Sequence, residues 1–375
     1  MMTAWPPEIP DPFDPKRIAF AQKMDETWGP TSEAYFKTSE ETLVREDIEQ
    51  SSEHFRVRFD LLKGEIQKLI VGQDEILERV ITATIAGGHV LLESVPGLGK
   101  TMLARSLANA LSLHFQRIQF TPDLLPSDLL GTNLLVGPGS GHANSQFEFF
   151  PGPIFCNLLL VDQINSAPPK TQAALLEAME EKSVTVGGQT RLLGEPFFVL
   201  AIDNPLEKGG SPLSQTQLDR FFFSLPMAEP TLDEFESILE RTTESVAPVL
   251  EPVFPGEDLL LMRDFARGVE VSPDVRRQVA EVIMSTHPDG GYASSIAKKC
   301  IRWGASPRAG QALIMAAKIR ALRQGRFFVV TEDVFAFATS VLRHRVTLSP
   351  EAQTSGLGVE DILESSFQEL RHNWD

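Results

Sequence analysis

Cysteine is almost absent: the 375-residue chain has two, Cys156 and Cys300. Two thiols cannot build a disulfide framework, and neither sits in a Cys-x-x-Cys or Cys/His run with zinc spacing. A surplus of positive charge is missing as well. Lys and Arg number 34 against 51 Asp and Glu, a formal net charge of −17. Such a surface repels phosphate backbones and acidic membranes, which argues against nonspecific nucleic-acid binding. No apolar run approaches the roughly 20 residues needed to cross a bilayer. The opening MMTAWPPEIPDPFDP has neither the basic region nor the apolar region of a signal peptide. These absences lead to an expectation of a reducing, cytoplasmic setting without membrane insertion. The remaining composition, 42% hydrophobic and 23% charged, is that of a globular protein. Its length allows two or three domains at roughly 150 residues each.

The first 54 residues read as an acidic extension, interrupted by Pro6, Pro7, Pro10, Pro12, Pro15 and Pro30. A short docked helix is the alternative, since Phe13, Trp28 and Phe36 offer anchors. From Phe55 onward, Phe59, Leu62, Ile66 and Ile70 recur at helical spacing, and a second helix is expected from Gln73 to Ala86. Five short apolar runs then alternate with helical segments: HVLLES, FQRIQF, NLLLVD, FFVLAID and FFFSLP. Strands of this kind, buried on both faces, predict a five-stranded parallel sheet between helical layers. Two stretches interrupt the alternation and read as β-hairpin insertions. One turns around Gly137, Pro138, Gly139 and Gly141, the other at Gly187-Gly188. The expected division is an α/β domain over 55–229, an all-helical domain over 230–350 and a C-terminal helix or tail over 351–375.

The strongest motif is ESVPGLGKT, residues 93–101. A buried strand ends, glycines let the backbone approach a ligand closely, and a helix opens at Lys100. Strand, glycine loop and helix N-terminus together aim N–H donors and the positive end of a helix dipole at phosphate oxygens. Pro96, Gly97, Leu98, Gly99, Lys100, Thr101 and Met102 form this cradle. Lys100 is expected to reach the β and γ phosphates, and the Thr101 hydroxyl to hold Mg²⁺. The pattern departs from G-x-x-x-x-G-K-[ST] only at its first position, which is Ser94. Serine fits there if its φ is negative. A second, acidic magnesium contact is expected at the end of another buried strand, and NLLLVD supplies Asp162.

The residue after Asp162 is Gln163. In ATPases of this class the position is normally glutamate, which orients and polarises the attacking water. An amide has the same shape, but it can neither take the proton nor carry the negative charge that strengthens the bond to water. ATP binding with slow hydrolysis is therefore expected. A deliberate Glu→Gln change that traps nucleotide and a natural loss of turnover both explain the residue, and the otherwise intact site favours the former.

The stretches VGQDEI, GGHVLLESVPGLGKT, RIQFTPDLLPSDLLGTNLL, FEFFPGPIF, LLLVDQINSAPPKTQAALLEAMEEKSVTV, DNPLEKGGSPLSQTQLDRF and GASPRA together resemble the MoxR family of AAA+ ATPases. The resemblance runs from about Val71 to about Arg345. It implies a hexameric, homo-oligomeric ring with ATP between subunits, an α/β domain followed by a helical lid, and both hairpins on the pore-facing side. It also implies a role for Asn204 as sensor 1, for Arg220 as the arginine finger reaching the next subunit's γ-phosphate, and for Arg308 as the sensor-2 arginine. Gly72 and Gln73 correspond to the turn beside the adenine ring. The family usually has Gln where this chain has Asp203. The implied function is a remodelling or assembly chaperone acting with a partner that bears a von Willebrand factor A domain. A non-hydrolysing ATP-dependent scaffold and a magnesium-chelatase-like motor subunit stay open as alternatives.

Gln163→Glu is expected to raise phosphate release by about 10²- to 10⁴-fold, the usual worth of a general base. A steady-state phosphate assay checks this, and an unchanged rate contradicts the reading.

Overall fold

The computed structural model describes residues 41–136, 146–204, 210–243 and 249–374. The extension up to residue 40 and the turn around Gly137–Gly141 lie outside them. In chain order the elements begin with α1 (Glu41–Gln67), α2 (Asp74–Ala86), β1 (Val90–Glu93), α3 (Lys100–Ala110) and β2 (Phe115–Gln119). Next come α4 (Pro126–Leu130), β3 (Gly131–Val136), β4 (Gln146–Pro151), β5 (Leu158–Asp162), α5 (Pro169–Glu181), β6 (Ser183–Val186) and β7 (Gln189–Leu192). They continue with β8 (Phe198–Asp203), α6 (Gln215–Leu218), β9 (Phe223–Pro226), α7 (Leu232–Thr243), α8 (Glu257–Arg267) and α9 (Pro273–Ser285). The last are α10 (Ser295–Cys300), β10 (Ile301–Trp303), α11 (Pro307–Arg323), α12 (Thr331–Leu342), β11 (Thr347–Leu348), α13 (Pro350–Ser355) and α14 (Val359–Trp374).

Five strands form one parallel sheet in the order β2-β5-β8-β1-β9. The apolar runs alternate between its two faces, as the period of a strand demands. Val90, Leu92, Leu158, Leu160, Phe198, Leu200 and Ile202 face a core shared with α1, α2, α3 and the C-terminal helices. Leu91, Leu159, Val161, Val199 and Ala201 face a smaller core closed by α5. Both expected hairpins are present as separate antiparallel pairs, β3 with β4 and β6 with β7. Gly187 and Gly188 both take positive φ in the tight turn of the second.

Two features differ from the expected division. Helix α1 runs straight through the position between residues 54 and 55. The C-terminal part is not wholly helical, because β10 and β11 pair antiparallel. Of the two options held open for residues 351–375, the structure shows the helix, α14, and its docking: Ile362, Leu363, Phe367 and Leu370 are buried in the core that α9 to α12 share. Ser294, at the N-cap of α10, also shares a buried hydroxyl–hydroxyl bond of 2.7 Å with Ser366 of α14.

His89, at the lead-in to β1, is a packed core residue. The Val199 backbone N–H donates to its Nδ1 (3.0 Å), so Nε2 carries the proton and faces the Met179 carbonyl at 3.2 Å. Burial pushes its pKa from 6.5 down to about 4. A depressed histidine pKa means that the unfolded chain binds the proton first. The stability that His89 contributes is therefore complete above pH 6.5 and is lost as the pH falls towards 4. An NMR titration of the His89 ring is expected to show a midpoint near pH 4, and an ordinary midpoint contradicts the packing described.

Candidate functional site

In open parallel sheets, ligands bind beyond the carboxyl ends of the strands, and three such ends meet here. Strand β8 lies between β1 and β5, with Glu93 opposite Asp203 and Val161 opposite Ala201. Ser94, Asn204, Asp162 and Gln163 are thereby brought to one edge of the sheet. They line a cleft of about 380 Å³ together with Pro96, Gly97, Gly99, Lys100, Thr101, Met102, Arg117 and Ile202.

Gly97 and Gly99 take φ of +95° and +74°, and a Cβ at either would meet no atom within 4 Å. Glycine is thus required by backbone conformation, and it leaves the loop open towards the cleft. Ser94 is not among the positive-φ residues, so serine fits the first position of the loop. It is buried, and its Oγ accepts a bond from Lys100 Nζ at 3.2 Å. Lys100 also donates to the Val95 carbonyl, folding the ammonium back over its own loop. Burial draws the Lys100 pKa below the usual lysine value, and Asp162 acts in the opposite direction.

The acidic side is built by strand pairing. Gln119 is in register with Asp162. Arg117 and Gln119, two residues apart on β2, point to the same face. Arg117 donates to Asp162 Oδ2 at 2.7 Å and Gln119 Nε2 donates to Gln163 Oε1 at 3.1 Å. Gln163 has φ 58° and ψ 53°, a left-handed conformation that costs a non-glycine residue roughly 1–2 kcal/mol. Asn204 is buried where β8 ends, beside Asp203.

The donor set suits a triphosphate with magnesium. The glycine loop and Lys100 offer donors to phosphate oxygens, whereas Thr101 and Asp162 offer hard oxygen ligands. Magnesium is commonly held by one or two such groups plus the phosphates themselves. Among the described residues no cluster of three His, Cys, Asp or Glu side chains is poised for a metal.

The other expected positions lie outside this cleft. Gly72 takes φ +73°, and a Cβ there would press on the Glu234 carboxylate at 2.4 Å. Gln73 forms the N-cap of α2, and its side-chain amide donates to the Ala228 carbonyl at 3.1 Å. Leu98 does not line the cleft. Arg220 pairs with Glu180 Oε2 at 3.1 Å rather than with its neighbour Asp219, and Arg308 pairs with Glu180 Oε1. Arg308 lies in the exposed first turn of α11, with Pro307 before it and Ser306 as the N-cap. The two arginines are thus gathered on one carboxylate, and neither lines the cleft that holds Lys100. Arg117, Gln119 and Ile202 were not singled out by sequence reasoning. The alternation of FQRIQF places Arg117 and Gln119 on one face, but only the pairing of β2 with β5 brings them to Asp162 and Gln163.

A strand-end glycine loop, a strand-end aspartate and a central-strand asparagine at one edge of a parallel sheet define a P-loop ATPase site of the AAA+ class. Residues 89–223 match the model of the ATPase family associated with various cellular activities (AAA), and residues 293–366 match the AAA lid domain. The chain is 41% identical over 302 residues to the uncharacterised Bacillus subtilis protein YeaC, covering 80% of this chain and 89% of that one. It is 36% identical over 305 residues to the Mycobacterium tuberculosis protein named Chaperone MoxR1, covering 81% and 79%. A crystal structure provisionally described as an ATPase from Cytophaga hutchinsonii superposes with a TM-score of 0.79 at 34% identity, covering 86% of this chain and 97% of that one. The chain belongs to the MoxR family of AAA+ ATPases.

Lys100→Ala removes the ammonium at the glycine loop, and loss of about 100-fold in ATP affinity is expected if that ammonium holds the phosphates, within the few kcal/mol of a hydrogen bond to a charged group. Titration with a fluorescent ATP analogue measures it, and affinity within threefold of the parent contradicts the assignment.

Proposed function

We propose that this chain is one subunit of an ATP-driven ring, a hexamer, that remodels or assembles client proteins. The observation that carries the reading is that Arg220 and Arg308 do not line the phosphate cleft. Lys100, Asp162, Gln163 and Asn204 share one cleft, while Arg220 and Arg308 stand together on Glu180 elsewhere on the same chain. Arg117 is the cleft's own guanidinium and is held on Asp162; Arg220 and Arg308 would reach a γ-phosphate only across a subunit boundary, and such an arginine is worth several powers of ten in rate. Arg220 and Arg308 would both serve the adjoining subunit's nucleotide.

Lys100 and the N–H groups of residues 96–101 bind and orient the triphosphate. Thr101 and Asp162 would hold the magnesium ion, which when bound withdraws charge from the β and γ phosphates. Asp162 is paired with Arg117, so holding the ion would require it to give up that bond. Asn204 and Gln163, both lining the cleft, would orient the attacking water. The Gln163 amide can orient that water but cannot accept its proton, so turnover is slow and the ATP-bound ring is long-lived. The name of the mycobacterial relative, a chaperone, supports work on client proteins, and the MoxR resemblance supports a partner bearing a von Willebrand factor A domain. Gln163 also favours a second reading, a scaffold that ATP locks without hydrolysis. The charge of −17 weighs against a nucleic-acid motor.

Light scattering with and without ATP and magnesium, run alongside phosphate release, tests the proposal. Ring-sized particles with slow release that Gln163→Glu accelerates are expected. Assembly with no release from either protein selects the scaffold, and a monomer under all conditions overturns the ring.

A further inference from the structure

A second carboxylate lies next to the arginines, and it is built more firmly than the first. Asp219 immediately precedes Arg220, and Ser306 is the N-cap of the helix whose first turn holds Arg308. The Ser306 hydroxyl lies 2.8 Å from each Asp219 carboxylate oxygen, while Ser306 Oγ also accepts the Arg308 backbone N–H at 3.2 Å. Arg345, only 3% exposed, closes the arrangement from the other side. Its Nε donates to Asp219 Oδ1 at 3.0 Å, and its Nη2 donates to the Asp219 carbonyl at 3.2 Å and to the Phe221 carbonyl at 2.5 Å. Its Nη1 donates to the Phe222 and Val341 carbonyls at 3.3 and 2.6 Å. A guanidinium buried this completely must be matched by acceptors, and its planar fork allows little slack in where they sit.

The consequence is geometric. The turn that carries Arg220 and the helix start that carries Arg308 come from stretches of chain 88 positions apart in the numbering, yet one aspartate ties them together. Glu180 alone would tie them weakly: its pairs with Arg220 and Arg308 are about one-third to one-half exposed, and such pairs contribute little.

We propose that Asp219 and Ser306 are positioning residues that fix Arg220 and Arg308 as one rigid two-arginine surface for the neighbouring subunit's γ-phosphate. Neither residue lines the phosphate cleft. They act through the two guanidiniums, and the inference rests on the assignment of those arginines given above.

Replacement of Ser306 separates this role from simple helix capping. Ser306→Asp keeps a strong N-cap, because aspartate accepts the helix N–H groups as well as serine does, but its carboxylate cannot donate to Asp219 and repels it. Ser306→Thr keeps both the cap and the donor. Ser306→Ala loses both without adding charge and stands in if the aspartate variant does not fold. The measurement is the ratio of ATP to ADP affinity at protein concentrations that form the ring, read with fluorescent analogues beside thermal melts. In Ser306→Asp or Ser306→Ala the ratio is expected to fall about tenfold while ADP affinity stays within twofold of the parent, and Ser306→Thr retains the parent ratio. Arg220→Ala in the same assay must also lower the ratio. If it does not, the assignment of the arginines fails and the inference falls with it. If Arg220→Ala lowers the ratio but a folded Ser306→Asp or Ser306→Ala does not, the positioning role alone is overturned. Equal loss of ATP and ADP affinity overturns it too, since that marks general damage to the fold.

Discussion

Everything in the candidate site depends on the register between β1, β8 and β5. Parallel hydrogen bonding sets Glu93 beside Asp203, and Val161 beside Ala201. The bond from the Ser94 N–H to the Asp203 carbonyl, 3.0 Å, carries that alignment one step past the end of β1. A shift of one residue in either pairing would turn each strand's core side chains to the wrong face. The buried apolar residues on both sides of the sheet therefore fix where the glycine loop, the acidic end and the asparagine meet. The conformations held at the edge, glycines at positive φ and Gln163 in the left-handed region, are tolerated because this framework leaves the backbone no alternative route.

The C-terminal part is fastened to the same edge through the segment Arg343–Arg345. Arg343 reaches Glu93 at the end of β1 and Glu360 at the start of α14, while Arg345 reaches Asp219 ahead of β9. Three consecutive residues thus join the strand that leads into the phosphate loop, the turn before Arg220 and the C-terminal helix. His344 between them is buried, with Nε2 3.0 Å from the Phe221 carbonyl. In a chain of strongly negative net charge these arginines are matched by buried or half-buried carboxylates and carbonyls, so their cost of desolvation is offset locally rather than by the surface.

Much of this was legible beforehand because its signals are local. The strands announced themselves as short apolar runs, and the phosphate loop as glycines between a strand and a helix. Ser94 was recognisable as a departure, and its negative φ shows why the loop accepts it. Asp162 was readable from a strand end taken together with the upstream glycine loop, and Asn204 from the family resemblance. The start of α1 was not: Val44 and Ile48 keep the helical spacing of Phe55 and Phe59, but the charged residues around them and Ser51-Ser52 between them leave that period too sparse to set a helix apart from a solvated extension. Likewise α14 read as a terminal helix of uncertain docking, because an amphipathic pattern does not say what its apolar face meets.

The sequence by itself determined the class of the fold, the phosphate loop and the chemistry of its residues, because each follows from neighbours in the chain. Only the tertiary structure decided which partners those residues have. Arg117 lies on Asp162, Gln119 on Gln163, both arginines on Glu180, and Ser306 on Asp219. Each of these contacts joins residues 40 or more positions apart in the chain. Which distant side chains meet depends on strand order and helix packing, and these express the burial of the whole core rather than any local pattern.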